Sequence, residues 1–285
     1  MPLASELLQA CTTGSTLPEV YCRVRDVADN PNATTGDLTK ALQLDPVIVA
    51  GLLRLANNAP HGPSRQVDTV AGAVELLGKQ VISDFVATMT VGRTFAGMPV
   101  HLMDLSKFWR KSVLCALLAQ TIAKSCGVDG HEQSYVAGLL RDIGHYVLYQ
   151  TVPQRAQSAL IEAGYLDASL AEVEQSNIGC DFAEVGAELI RSWGLPIPIE
   201  QAIRCQLSPK DAGEFIVQAS IVHLAGVAVD SEEVDSGRRP AAMSFSPQAL
   251  TTTRFVPANL PPLLAEARAR LQEILVMVQP YTMAA

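Results

Sequence analysis

Tyr135-Val-Ala-Gly-Leu-Leu-Arg-Asp-Ile-Gly-His-Tyr-Val-Leu-Tyr149 reads as one helix. Val136, Leu139, Leu140, Ile143 and Val147 fall at helical spacing and make a single apolar stripe. Gly138, Arg141, Asp142 and His145 gather on the opposite face, where residues three or four apart are neighbours. A stretch that buries one face and concentrates chemistry on the other predicts a helical protein built around it.

Outward from this stretch, punctuation marks helices along most of the chain. Thr34 or Thr35 caps a helix over Asp37–Leu44, and Asp45-Pro46, an N-cap followed by proline, opens Val47–Asn58. Pro60-His-Gly-Pro63 then breaks the chain. Thr69 caps Val70–Leu77, Gly78 ends it, and another helix runs from Lys79 to about Phe95. A longer helix over Met103–Cys126 stops at Gly127; its uncharged run Ser112–Ala123 predicts burial on most sides. Shorter helices are expected over Pro153–Gly164 and Ala168–Gln175. Asp181-Phe-Ala-Glu184 has the capping-box pattern and opens Phe182–Trp193. Ile199–Gln206 and Ala212–Val229 complete the run. Periodicity then fails over 231–262, which reads as a surface loop, before a terminal helix carrying Leu263, Ala267, Leu271 and Ile274 on one stripe. No alternating runs with hairpin turns occur, so the expected class is all-α.

Composition narrows the function classes. Hydrophobic residues make up 48% and charged residues 18%, which argues against disorder. A net charge of −8 speaks against broad binding to nucleic-acid phosphates. Cysteines at 11, 22, 115, 126, 180 and 205 form no C-x-x-C pair and read as reduced thiols. No Lys or Arg precedes Arg23, no apolar leader follows the start, and no uncharged run reaches the ~18 residues of a membrane span; a cytoplasmic protein is expected. Phosphate-cradling glycine loops and the G-x-S-x-G elbow are absent from the sequence.

Leu17-Pro18, Leu42-Gln-Leu-Asp-Pro46, Leu52-Leu-Arg-Leu-Ala-Asn57 and Ala73-Val-Glu-Leu-Leu-Gly78 are followed by Phe108-Trp-Arg-Lys-Ser112 and Gly138-Leu-Leu-Arg-Asp-Ile-Gly144. Ala183-Glu-Val-Gly186, Trp193-Gly-Leu-Pro196 and Ile199-Glu-Gln-Ala-Ile203 come next. In this order the segments resemble the HDOD family (HD-related output domains), all-α bacterial signalling relatives of the HD phosphohydrolases. The resemblance covers roughly Leu17 to Val229. It implies an N-terminal helical subdomain over 1–98 packed on a degenerate HD-like helical core over 99–230, then a loop over 231–262 and a C-terminal helix over 263–285.

The resemblance also implies where metal ligands would stand in a catalytic relative. Lys111 and Arg141 occupy two histidine positions, Gly226 the final aspartate position, and Cys205 and Gln206 those of auxiliary histidines, while Asp142 remains. A guanidinium has only donors and stays protonated, so it cannot ligate. One carboxylate does not hold a transition metal that generates hydroxide. The expectation is a non-catalytic signal-transduction module without metal or cofactor, acting on an unidentified protein partner. Two alternatives stay open: a nucleotide or phosphate sensor with an anion cleft of Lys111, Arg141, Asp142 and His145, or a metal-dependent phosphohydrolase. For the cleft itself, the leading reading is an ion-pair cluster in which Asp142 neutralises Arg141 and Lys111. His145 is expected at the surface or hydrogen-bonded, His61 in a loop, His101 and His131 near helix starts, and His223 as a satisfied core histidine. Asn57-Asn58 is expected to cap a helix in left-handed conformation.

Overall fold

The computed structural model describes residues 4–11, 19–42, 46–57, 67–94, 102–129, 131–166, 168–232 and 244–282. Among them every regular element is helical, in agreement with the all-α expectation. The chain divides into two compact units: Thr16–Ala96 with Gln272–Ala285, and Met1–Ser15 with Gly97–Leu271. The expected 1–98 block is therefore split. Helix α1 (Ala4–Ala10) belongs to the later unit, because Leu7 and Cys11, 4% and 6% exposed, bury there.

In the first unit, α2 (Glu19–Asp29), α3 (Thr35–Leu42), α4 (Pro46–Asn57) and α5 (Val70–Thr94) enclose Val24, Leu38, Leu42, Ile48, Leu52 and Ile82. Thr34 caps α3: its Oγ1 accepts the Asp37 N–H at 3.3 Å, and the Asp37 carboxylate accepts the Thr34 N–H at 3.0 Å. Gly78, with φ 78° and ψ 161°, divides α5 into the two helices its position predicts. Asn57 acts differently from the left-handed cap expected of it. Its amide donates to the carbonyls of Leu53 and Val67 at 2.8 Å, and its Oδ1 accepts the Val67 N–H at 2.7 Å. The side chain thus clasps both ends of the intervening chain; Asn58, His61 and His101 lie outside the described residues.

The second unit is built on α6 (Leu105–Ser125), which Asp104 caps by accepting the Lys107 N–H. Its residues Cys115–Ala119 are fully buried, as the uncharged run predicts. The expected single helix over 135–149 is two: α7 (His131–Leu140) and α8 (Ile143–Thr151), with Arg141-Asp142 as the turn. Close approach dictates this path. A Cβ at Gly138 would stand 2.8 Å from the Cys115 carbonyl oxygen, and one at Gly144 only 1.9 Å from that of Phe182. The periodicity hid the break because Arg141 and Asp142 are themselves buried, so no solvent face marks it.

Helices α9 (Pro153–Leu166) and α10 (Leu170–Asn177) pack on each other through Ala159, Ala163 and Val173. Then α11 (Phe182–Ser192) opens with the capping box, Asp181 and Glu184 exchanging bonds at 2.9 and 3.3 Å. After α12 (Ile197–Arg204), a 3-10 helix over Pro209–Phe215, interrupted at Gly213, precedes α13 (Ile216–Ser231). The expected helix over Ala212–Val229 therefore starts late, because Gly213 takes a positive φ of 55°. Pro209–Ser231 has the length and hydropathy of a membrane span, yet its apolar window is 56% buried inside the protein.

The expected loop over 231–262 also contains structure. Helix α14 (Pro247–Thr253) packs on α13 through Ala249, and α15 (Leu260–Thr282) starts before the expected proline pair. It buries Leu260, Leu264, Ala267 and Leu271, with Leu263 only half-buried; the Ile274 side chain lies outside the described residues. Arg270 donates to the buried Gln120 at 3.0 Å, and Arg268 pairs with Glu232.

Candidate functional site

The turn between α7 and α8 carries two charges into the interior: Arg141 is 5% exposed and Asp142 3%. Burying a charge is costly unless it is paired and hydrogen-bonded. Arg141 meets both requirements. Its Nη1 and Nη2 donate to the two carboxylate oxygens of Asp230 at 3.2 and 2.8 Å, a bidentate pair with the last turn of α13. Nε donates to Gln206 Oε1 at 3.1 Å and lies at the same distance from Asp142 Oδ1. Gln206 returns a bond from Nε2 to the Arg141 carbonyl at 2.8 Å.

Lys111, from α6, closes the cluster with Nζ 2.9 Å from Asp230 Oδ1 and 3.6 Å from Asp142 Oδ2. Two cations and two carboxylates therefore balance. Burial alone would lower the Arg141 pKa, but Asp142 and Asp230 outweigh it and hold the guanidinium protonated well above its usual range. Burial likewise opposes ionisation of Asp230, yet Arg141 and Lys111 hold its carboxyl well below the usual carboxylate range. About a third of the Asp230 side chain still reaches solvent, so this pairing is partly screened. Cys115 lies beneath the guanidinium, its thiol pushed up to about 12 by burial, which leaves it inert.

The structure brings Lys111, Arg141 and Asp142 together and sets His145 apart. His145 stacks on Phe182 at 4.3 Å, and its Nδ1 lies 3.1 Å from Oε1 of the buried Glu174. The other carboxylate oxygen of Glu174 accepts the Phe182 N–H at the start of α11. Gly226 touches the cluster by having no side chain: the Arg141 guanidinium occupies the space a Cβ would enter. Sequence reasoning missed Asp230 and Glu174. Asp230 left one signal, its position one helical turn beyond Gly226; Glu174 left none.

A divalent metal does not fit this donor set. Both carboxylates are committed to Arg141 and Lys111, two cations stand where neutral or anionic donors are required, and Gly226 offers nothing. Among the described residues no three His, Cys, Asp or Glu side chains converge as a metal-binding group.

Similarity to known proteins covers most of the chain. The family model of the HDOD domain matches residues 15–209. An uncharacterized protein of Treponema pallidum (strain Nichols) is 25% identical over 195 residues, 66% of this chain but 36% of that protein, so the chain spans little more than a third of this relative. Among solved structures, a candidate signal-transduction protein from Marinobacter aquaeolei VT8 has a TM-score of 0.75 at 23% identity, covering all of this chain and 62% of its own. A candidate phosphohydrolase from Shewanella amazonensis SB2B has a TM-score of 0.70 at 26% identity, covering 92% of this chain and 93% of its own.

Proposed function

From the premise that this chain belongs to the HDOD family, we propose that it is a non-catalytic signal-transduction module that regulates by binding another protein. The observation that carries the reading is the balanced cluster of Lys111, Arg141, Asp142 and Asp230 where a catalytic relative would hold its metal. Hydroxide generation needs an open, ligated cation, and every charged group of this cluster is engaged by another. The name of the Marinobacter protein supports a signalling role. That of the Shewanella protein supports the rival, hydrolysis, which requires a metal that this donor set repels. Charge balance also weighs against the phosphate-sensor alternative, because Asp142 and Asp230 already satisfy both cations.

Elemental analysis of untagged protein purified without chelator tests the reading. Iron, manganese, nickel, zinc and magnesium far below one per chain, with no phosphodiester hydrolysis, are expected. Stoichiometric metal with hydrolysis that Asp142→Ala abolishes would overturn it. A nucleotide-induced rise in melting temperature that Lys111→Met removes would instead select the sensor.

A further inference from the structure

His223 lies on α13 with both ring nitrogens engaged by main chain. Nδ1 is 2.8 Å from the carbonyl oxygen of Gln206, and Nε2 is 3.0 Å from the amide nitrogen of Ser246, the residue immediately before α14. The partners fix the tautomer. An amide can only donate, so Nε2 is the acceptor and carries no proton; the ring proton sits on Nδ1 and points to the carbonyl. Protonation would put an N–H at Nε2 directly against the Ser246 N–H, two donors facing each other.

We propose that His223 is a proton-operated latch that holds residues 244–255, with α14, on α13. The neutral ring closes it and the imidazolium opens it. The segment is suited to local release. Besides the latch, α14 packs on α13 and on the 3-10 helix, and the segment buries only Ala249, Thr253 and Phe255, the last in edge contact with Phe245 at 6.4 Å. Of the charged groups on neighbouring elements, Arg141 bears on the ring, while Lys111, Asp142 and Asp230 are turned to one another and to Arg141. Arg204 of α12 is paired with Glu188 and Glu200, and the 3-10 helix carries Lys210, Asp211 and Glu214 on exposed positions. Helix α14 itself has no titratable side chain.

Burial and the Arg141 charge push the ring below the ordinary histidine value near 6.5, although its bond to the Gln206 carbonyl acts the other way. The sign follows: the folded state prefers the neutral ring, so the latch is fully closed above about 6.5 and weakens as pH falls through the folded value. Gln206 also bonds Arg141, so the latch is anchored on the buried cluster. The proposal stands without the protein-binding role.

Amide exchange by NMR between pH 7.5 and 5, expressed as protection relative to the unstructured chain, tests it in the full chain. Protection at Ser246, Leu250 and Phe255 should fall by up to about tenfold per pH unit once the ring titrates, while Leu117 and Ala119 of α6 stay protected. His223→Gln should remove this pH dependence. The ring's nitrogen shifts at pH 7.5 should report the Nδ1–H tautomer, a readout that needs no variant. A flat profile in the native protein, an equal fall in α6, an unchanged profile in His223→Gln, or the Nε2–H tautomer would each overturn the latch.

Discussion

The ideal Cβ position at Gly226 lies 2.8 Å from Arg141 Nη1 and 2.9 Å from Cζ. A side chain at 226 and the guanidinium at 141 are mutually exclusive while Asp230 and Gln206 hold that guanidinium in place. Gly226→Ala should therefore cost about 1–3 kcal/mol, as overpacking does, despite alanine's better helix propensity. Urea unfolding in the native and Arg141→Gln backgrounds checks it: the penalty should shrink by half or more when the guanidinium is gone, and equal penalties would refute the exclusion. Asp230→Asn probes the same cluster by charge. Because the folded carboxyl is held low, its contribution is present above the unfolded value near 3.9 and is lost as pH falls below it. A loss of about 1–3 kcal/mol is expected at pH 7, less than for a fully buried pair because about a third of the side chain meets water. The gap between the two proteins should narrow steadily as pH falls below about 4; a gap independent of pH would mean lost packing rather than lost charge. Lys111, Arg141 and Asp142 were legible as a group because the family resemblance implies that all three stand at metal-ligand positions. Asp230 was not, since it closes a helix just where the periodic pattern ends, and no local rule says which distant carboxylate an internal arginine will choose.

Between elements, two glycines carry opposite kinds of constraint. At Gly144 the obstacle is another backbone: a Cβ would stand 1.9 Å from the Phe182 carbonyl oxygen and 2.7 Å from the Gly186 nitrogen. Packed interiors transmit such overlaps instead of absorbing them. Gly144→Ala should thus separate α8 from α11 and cost on the order of 3 kcal/mol or more, beyond the usual overpacking range, read as a fall in thermal midpoint or in soluble yield. At Gly78 the Cβ would meet nothing within 4 Å, but φ 78° with ψ 161° is a conformation that essentially only glycine adopts. Gly78→Ala should cost about 1–3 kcal/mol through the backbone alone, and an unchanged melting temperature would show that α5 can straighten. Helix ends written in local chemistry were readable: Thr34, Gly78, Asp181 with Glu184, and Gly127. The break at Arg141-Asp142 was not, because a helix buried all round shows no loss of apolar period where it stops. Nor was α14, seven residues long and read as loop because proline, serine and threonine dominate its neighbourhood.

Across the whole chain, order in sequence and membership of a unit part company at the N-terminus. Residues 16–96 form one compact unit, yet the fifteen residues before them belong with Gly97–Leu271. Reading along the sequence places α1 with its neighbours, since seven residues carry too little pattern to show which core they serve. The structure has α1 packing on α8 and α11, with Leu7 4% exposed and Cys11 Sγ 3.8 Å from Gln150 Oε1 in α8. This assignment predicts which half of the protein a change at Leu7 will loosen. Leu7→Ala removes a buried side chain at a cost of about 2–3 kcal/mol, toward the low end for leucine because a terminal helix can relax into the gap. If α1 serves the later unit, residue-resolved hydrogen exchange should speed up at amides of α8 and α11, such as Val147 and Val185, while Leu42 and Leu52 keep their protection. Faster exchange confined to α3 and α4 would assign α1 to the unit beside it in sequence, and with that the helical core would have to hold the Arg141 turn without any help from the chain's first residues.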